Sequence, residues 1–178
     1  MEFLAGNRII GNDSEKTVTT TTNADVTGGD NSYPVDTKTY RKFTTTGSSN
    51  LVIGDSSIDL EVLLVGGGGG GGGETAGGGG AGGLLYQASR TMTAGTYPIV
   101  IGTGGSPSTG RTLASNGVSS TFNGASADGG GGGGGQTVSG ASGGSGGGAG
   151  QGGSGGSTTQ GNSSGMTGYG SAGNSSGD

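Results

Sequence analysis

The sequence has no cysteine, no histidine and no tryptophan, and only 3 prolines, 3 phenylalanines and 5 tyrosines among 178 residues. Each absence closes off some chemistry. Without cysteine there is no disulfide framework and no thiol nucleophile; without histidine as well, the common zinc sites and a Ser-His-Asp triad are excluded. A cysteine-free chain fits synthesis in a reducing cytoplasm. Lysine and arginine number 7 against 12 acidic residues, for a net charge of −5. That is too little positive charge to neutralise a phosphate backbone, so nucleic acid is not an expected partner. The start, MEFLAGNRIIGNDSEK, has no basic stretch followed by an apolar run, and no segment approaches the length of apolar sequence that spans a bilayer. Neither a secretory leader nor membrane insertion is therefore expected.

What the chain has in abundance is glycine, 51 residues, against hydrophobic residues at 26%. So little apolar surface supports a core over about half the chain at most, because stabilisation by burial scales with apolar area. Residues 66–73 are eight consecutive glycines, GGGGAGG follows at 77–83, seven glycines occupy 129–135, and GASGGSGGGAGQGGSGGS occupies 140–157. Two readings compete for such runs. One is a flexible linker. The other is packed polyglycine II, with three residues per turn, no internal hydrogen bonds, and every N–H and C=O free to bond sideways to neighbouring chains. The first run follows directly on a buried-looking strand and leads into another, which favours packing for 66–83. Both readings stay open for 129–156, and a flexible tail is expected beyond 157. Collagen is excluded by the lack of a Gly-X-Y period and of proline.

No window carries a helical apolar period, so the fold class expected is mainly β. Ile58–Val65 places Ile58, Leu60, Val62 and Leu64 on one face and Asp59 and Glu61 on the other. Leu63 and Val65 suggest burial of both faces at its end. Residues 51–53 and 40–45 read as short strands, as does 118–122. Residues 84–92 place Leu84, Tyr86, Ala88 and Met92 on one face and form an expected hairpin with 97–101 across the turn TAGT. Pro98, near the start of the second, suggests an edge position or a strand entrance. These strands number five or six, enough for a small antiparallel β-sandwich with polyglycine II segments and an extended N-terminal arm. The expected domains are an anchoring or oligomerisation arm at 1–38, the β-sandwich with its polyglycine insertion at 39–125, and a glycine/serine-rich region, polyglycine II or flexible, at 126–178.

Candidate motifs carry little chemistry. GxGxxG matches abound, but no helix follows the strands and no glycine run leads into Lys-Ser/Thr, so neither nucleotide motif is met. Asp55, Asp59 and Glu61 read as a solvated turn and strand face rather than a cation site. Catalytic carboxylates would lack an aromatic-lined setting, since ten of the 12 acidic residues precede Thr75. The chain is not expected to be an enzyme, and no catalytic, cofactor-binding or metal residue is assigned. The run TVTTTT at 17–22 reads as an extended arm or edge strand, with ice or glycan contact through its hydroxyls as the alternative. Asn12, Asn162 and Asn174 begin glycosylation triplets that read as chance.

A resemblance emerges from the order of the pieces. FTTTGSSNLVIGDSSIDLEVLLVGGGGGGGG, then GGGGAGGLLYQASRTMTAGTYPIVIGTGG, and then NGVSSTFNGASADGGGGGGG together resemble the glycine-rich domain of bacteriophage and marine-virus structural proteins of the tail fibre, adhesin or virion appendage type. The resemblance implies a β-sandwich with polyglycine II loops, synthesis in a host cytoplasm and assembly into a virion. The N-terminal arm would contact other virion proteins, and a homo-oligomer is expected. Receptor contact, with a host surface glycan or protein, is expected from exposed glycine-rich loops at Thr75, Gln136, Gln151 and Tyr169. The alternatives are a capsid decoration or head fibre protein, and an extracellular matrix filament or ice-binding protein.

Overall fold

The computed structural model describes residues 2–4, 8–10, 26–35 and 38–176. Among the described residues twelve strands run in chain order: β1 (Glu2–Leu4), β2 (Arg8–Ile10), β3 (Val26–Thr27), β4 (Asn31–Val35), β5 (Lys38–Lys42), β6 (Gly47–Ile53), β7 (Ile58–Val65), β8 (Leu84–Met92), β9 (Gly95–Ile101), β10 (Ser120–Phe122), β11 (Ala125–Ala127) and β12 (Thr167–Tyr169). No described residue is helical, as a chain this rich in glycine and β-branched residues dictates. The strands form a five-stranded sheet in the order β11-β10-β9-β6-β3, a three-stranded sheet β12-β8-β7, and the hairpins β1-β2 and β4-β5. Every strand pairing is antiparallel.

The two larger sheets share one core. Leu51, Ile53, Ile99, Phe122, Ala125 and Ala127 come from the five-stranded sheet. Leu64, Leu85 and Met92 come from the three-stranded one, and Met166 enters from the chain just before β12. Ile58, Leu60 and Val62 pack around the cluster, as the alternation in Ile58–Val65 predicts. Ser120 is fully buried, and its hydroxyl accepts the Gly102 amide at 3.0 Å, which meets the hydrogen-bonding need of both.

Several expectations fail at this level. Residues 84–92 and 97–101 do not form a hairpin: β8 pairs with β7 and β12, while β9 pairs with β6 and β10. The TAGT turn therefore carries the chain from one sheet to the other. Pro98 is not on an edge strand either. Its missing N–H is tolerated because β10 reaches only to Ile99, leaving that side of Pro98 unpaired. The core-facing set of β8 is Leu85 and Met92, with Leu84 and Tyr86 on the opposite face. Opposite the step from Leu60 to Val62, β8 spends three residues, Arg90 to Gln87, so β8 changes phase there while β7 keeps its alternation. Leu63 and Val65, expected to be buried, are 62% and 46% exposed.

The expected N-terminal arm is only partly described, and the run at 17–22 lies outside the described residues. Within the arm, Val26–Thr27 joins the five-stranded sheet beside β6, with Val26 packed on the core. Asp30 ties this region to the start of β6. Its carboxylate accepts the backbone amides and the hydroxyls of both Thr44 and Thr45. These bonds, the Thr44 amide first, hold the Asp30 pKa down at about 2.

Beyond the sheets lies a bundle of glycine-rich segments with a period of three. Along 66–73 the amides of Gly66, Gly69 and Gly72 donate to Gly83, Gly80 and Gly77 at 3.0, 2.8 and 3.0 Å. The amides of Gly67 and Gly70 donate instead to Val118 and Ser115, each at 2.9 Å. The carbonyls of Gly68 and Gly71 face a third direction and accept from Gly105 and Ser108 at 2.8 and 2.9 Å. Each third residue thus meets the same neighbour, where a strand would alternate with a period of two.

The run 129–135 is the most enclosed, with residues 130–135 all buried. It bonds to 66–73, 77–83, 112–118, 138–144 and 145–148. Side chains complete the network where backbone acceptors run out: Asn116 Oδ1 accepts the Gly132 amide at 2.8 Å while its Nδ2 donates to the Ser142 carbonyl at 3.0 Å.

The segment after 157, expected to be flexible, packs instead. Met166 is 1% exposed and Thr167–Tyr169 pairs with β8. Arg90 fastens the loop before it, donating to the Ser164 carbonyl at 2.8 Å and to the Asn123 carbonyl at 3.1 Å.

Candidate binding tip

The glycine bundle has two ends. One is the sheet, where Val65 leads into Gly66 and Gly83 into Leu84. The other is a group of turns. Eight residues at about 3.1 Å each put the turn after Gly73 roughly 25 Å from the sheet. The turn at 73–77 carries Glu74, Thr75 and Ala76 and is closed by the Gly72 amide bonding to the Gly77 carbonyl. The Gln151 amide donates to the Thr75 carbonyl at 3.2 Å, and the Thr137 amide donates to the Gln151 carbonyl at 3.0 Å. The Gly135 amide reaches the Thr112 carbonyl at 3.0 Å. Four turns, around Thr75, Arg111, Gln136 and Gln151, are therefore stitched together by backbone bonds.

Two of these turns hold threonine in the left-handed region, Thr75 at φ 46° and Thr137 at φ 58°. A β-branched residue there is disfavoured, at a cost of order 1–3 kcal/mol. Glycine sits in the same region at Gly152, beside Gln151, with φ 75°. The bundle has glycine at almost every position nearby, so threonine at these two sites supplies a side chain that the backbone conformation does not favour.

The tip is close to electrically neutral. Glu74 and Arg111 pair at 3.0 Å, both well exposed. Around them stand the hydroxyls of Thr75 and Thr137 and the amide groups of Gln136 and Gln151, a surface able to donate and accept hydrogen bonds without a strong field. Such an exposed ion pair contributes little to stability and is weakened by salt.

Of the four residues expected to make contact, the fold brings Thr75, Gln136 and Gln151 to this tip and leaves Tyr169 apart. Tyr169 lies in β12 opposite Leu84, at the sheet end of the bundle. Sequence reasoning missed Glu74, Arg111 and Thr137. The available signal was the spacing of the interruptions, since non-glycine residues between glycine runs mark where the chain turns. Of the acidic residues read as a solvated face, Asp59 accepts the Thr91 hydroxyl at 2.5 Å. Glu61 accepts Lys38 Nζ and the Tyr86 hydroxyl, each at 2.8 Å. The Lys38 hydrogen bond first, and then that of Tyr86, holds the Glu61 pKa below the usual carboxylate range. Among the described residues no group of three or more acidic side chains gathers in a way that could hold a metal ion.

A small β core whose strands run on into a bundle of hydrogen-bonded glycine segments defines a glycine-rich class of protein, stabilised outside its core by the backbone itself. Residues 44–178, well over half of the chain, match the family model of the glycine-rich domain, and the chain belongs to that family. No curated protein shows significant similarity to it.

Proposed function

We propose that the protein is a structural component of a phage virion, a fibre or adhesin subunit. It attaches through its N-terminal arm and displays a glycine-rich domain whose tip contacts a host receptor. The glycine segments, in this reading, are polyglycine II helices acting as stiff supports. The period-three hydrogen bonding supports that assignment, because successive residues of the run bond to different neighbours in turn.

The observation that carries the proposal is the convergence of Thr75, Gln136 and Gln151 at the far end of the bundle, on turns joined by backbone bonds. Polar side chains held on rigid elements, exposed at Thr75 and Gln151 and half-buried at Gln136, suit recognition of a hydroxyl-rich ligand such as a surface glycan, or of a polar protein patch. The motif order of the sequence supports the virion setting. The residues at the tip serve display and contact in this proposal, not catalysis.

The test is immunogold labelling of particles from the source sample with antibody against residues 26–50, together with host-cell binding by the purified protein. Gold at a tail end, with binding reduced about tenfold or more by the paired substitutions Thr75→Ala and Gln151→Ala, is the expected result. Gold on the head, with no cell binding, would move the protein to capsid decoration. Gold on cells or free filaments beside bare particles would overturn the virion reading.

A further inference from the structure

The end of the three-stranded sheet's outer face that borders the glycine bundle is apolar and uncovered by any described residue. Leu63, Val65 and Tyr169 are 62%, 46% and 54% exposed. Register places them together: Leu63 opposes Tyr86, which opposes Thr167, and Val65 opposes Leu84, which opposes Tyr169. Exposed apolar residues are ordinary when scattered, but a contiguous set of this kind marks a contact surface.

The face continues along the glycine bundle almost without side chains, with Ala81 the exposed exception in its run. At Gly71 and Gly78 an added Cβ would meet nothing within 4 Å, and at Gly68 only the Gly80 carbonyl at 3.7 Å. Among the described residues nothing requires glycine at these outward positions. The inward glycines of the same runs differ, since a Cβ at Gly69 or Gly70 would strike the carbonyl of Gly131 or Ser106. The amides of Gly68, Gly71 and Gly78 have no acceptor among the described residues.

We infer that this face is where a second copy of the chain docks, like face to like face about a twofold axis. Leu63, Val65 and Tyr169 close on their counterparts, and the two glycine strips lie against each other. Charge decides in favour of a like partner. The chain carries −5 overall, so two copies repel at most orientations. This face is neutral, with Glu61 compensated by Lys38 at 2.8 Å at its border and Asp59 beyond it engaged by Thr91. A self-complementary interface needs such a surface, because any net charge on it would meet itself.

Size is sufficient. Three sheet residues at about 3.3 Å and eight glycines at about 3.1 Å give roughly 35 Å of length, and three to four chains about 4.8 Å apart give roughly 15–20 Å of width. The projected area is then about 600 Å², which surface relief brings near the ~800 Å² per partner of a standard interface. The inference does not depend on the virion setting.

Sedimentation of the full chain tests it. The expected result is a dimer at roughly 10 µM, with Leu63→Glu and Gly71→Leu each weakening association at least tenfold. Both substituted side chains project from the protomer, so circular dichroism should stay unchanged and melting of the dilute proteins should not fall below wild type. Gly71→Leu keeps the test valid if Leu63→Glu fails to fold. A wild-type chain monomeric at about 100 µM, or a dimer indifferent to both substitutions, would overturn the inference. A monomer that dimerises only when residues 1–25 are deleted would overturn it too, and would assign the face to the chain's own arm.

Discussion

Two adjacent glycines in a run of eight should respond oppositely to the same substitution. Gly70 and Gly71 are indistinguishable in sequence. A Cβ on Gly70 would overlap the Ser106 carbonyl, with the Pro107 nitrogen close behind, all of it backbone that other bonds hold in place. A Cβ on Gly71 would meet nothing within 4 Å. Neither residue lies in the left-handed region, so alanine can adopt the backbone of both. Gly71→Ala then acts chiefly on the unfolded chain, removing freedom that folding must otherwise remove, and should stabilise by about 0.4–1 kcal/mol. Gly70→Ala must push a neighbouring segment aside. Overpacking alone costs about 1–3 kcal/mol. The displacement also strains the bond from the Gly70 amide to Ser115 and that from the Gly133 amide to Gly70, both at 2.9 Å. Leaving either buried group unsatisfied costs about 1–3 kcal/mol more.

The expected gap between the two variants is therefore about 4 kcal/mol. For a chain of this size that corresponds to roughly 8–16 °C in melting temperature, with Gly71→Ala at or slightly above wild type. Urea and thermal unfolding at a concentration where sedimentation finds only monomer make the comparison. If the two variants melt together, or Gly71→Ala is the worse, the run is not locked in this phase and the threefold packing argument fails.

Asn116→Ala leaves the Gly132 amide without its acceptor in the most enclosed part of the bundle, and urea unfolding should find it about 1–3 kcal/mol less stable than wild type. Met166→Ala empties a core site and should cost about 2–5 kcal/mol. Arg90→Ala should release the 162–166 loop, raising hydrogen exchange there while β6 and β9 stay protected; unchanged exchange would argue against Arg90 as its anchor. Thr75→Gly and Thr137→Gly should each raise stability by roughly 1 kcal/mol by relieving positive φ, which thermal melting can check. Asp30 provides a pH test. Its folded pKa, about 2, lies below the unfolded value near 3.9. Its contribution should be complete above about pH 4 and be lost as pH falls toward 2. The melting temperature of the wild type should thus fall more steeply over that window than that of Asp30→Asn, and equal slopes would refute the assignment.

The mainly β class was legible because Ile58–Val65 alternates cleanly and no helical period competes with it. Pairing was not. Residues 84–92 and 97–101 lie a short turn apart and look like a hairpin, yet the turn crosses between sheets. Local spacing cannot register that each strand has a better partner elsewhere, β7 for the first and β6 for the second. The core face of β8 was misassigned at its Leu84–Tyr86 end because the extra residue between Gln87 and Arg90 reverses the phase of β8, and nothing in those residues announces it. The tip was legible in part. Polar residues that interrupt glycine runs point to turns, which found Thr75, Gln136 and Gln151. That the turns converge depends on how the segments pack. Eight identical residues cannot say which of three directions each one faces.

That silence has a structural counterpart. In an ordinary domain, side chains specify packing, so the residues that carry function share the sequence with those that hold the fold. Here the bundle is held by backbone bonds that any run of glycine can make, and specificity of position enters through exclusion: a carbonyl occupies the space where a Cβ would stand. The turns are joined by the same kind of bond, from the Gln151 amide to Thr75 and from the Thr137 amide to Gln151. None of these bonds uses a tip side chain. The side chains of Thr75, Gln136 and Gln151 are therefore free of folding duty apart from the φ demanded at Thr75. On the proposed reading, substitutions there should alter what the tip contacts while leaving the bundle beneath it intact, a separation of display from support that the β core alone, with its interlocked side chains, does not offer.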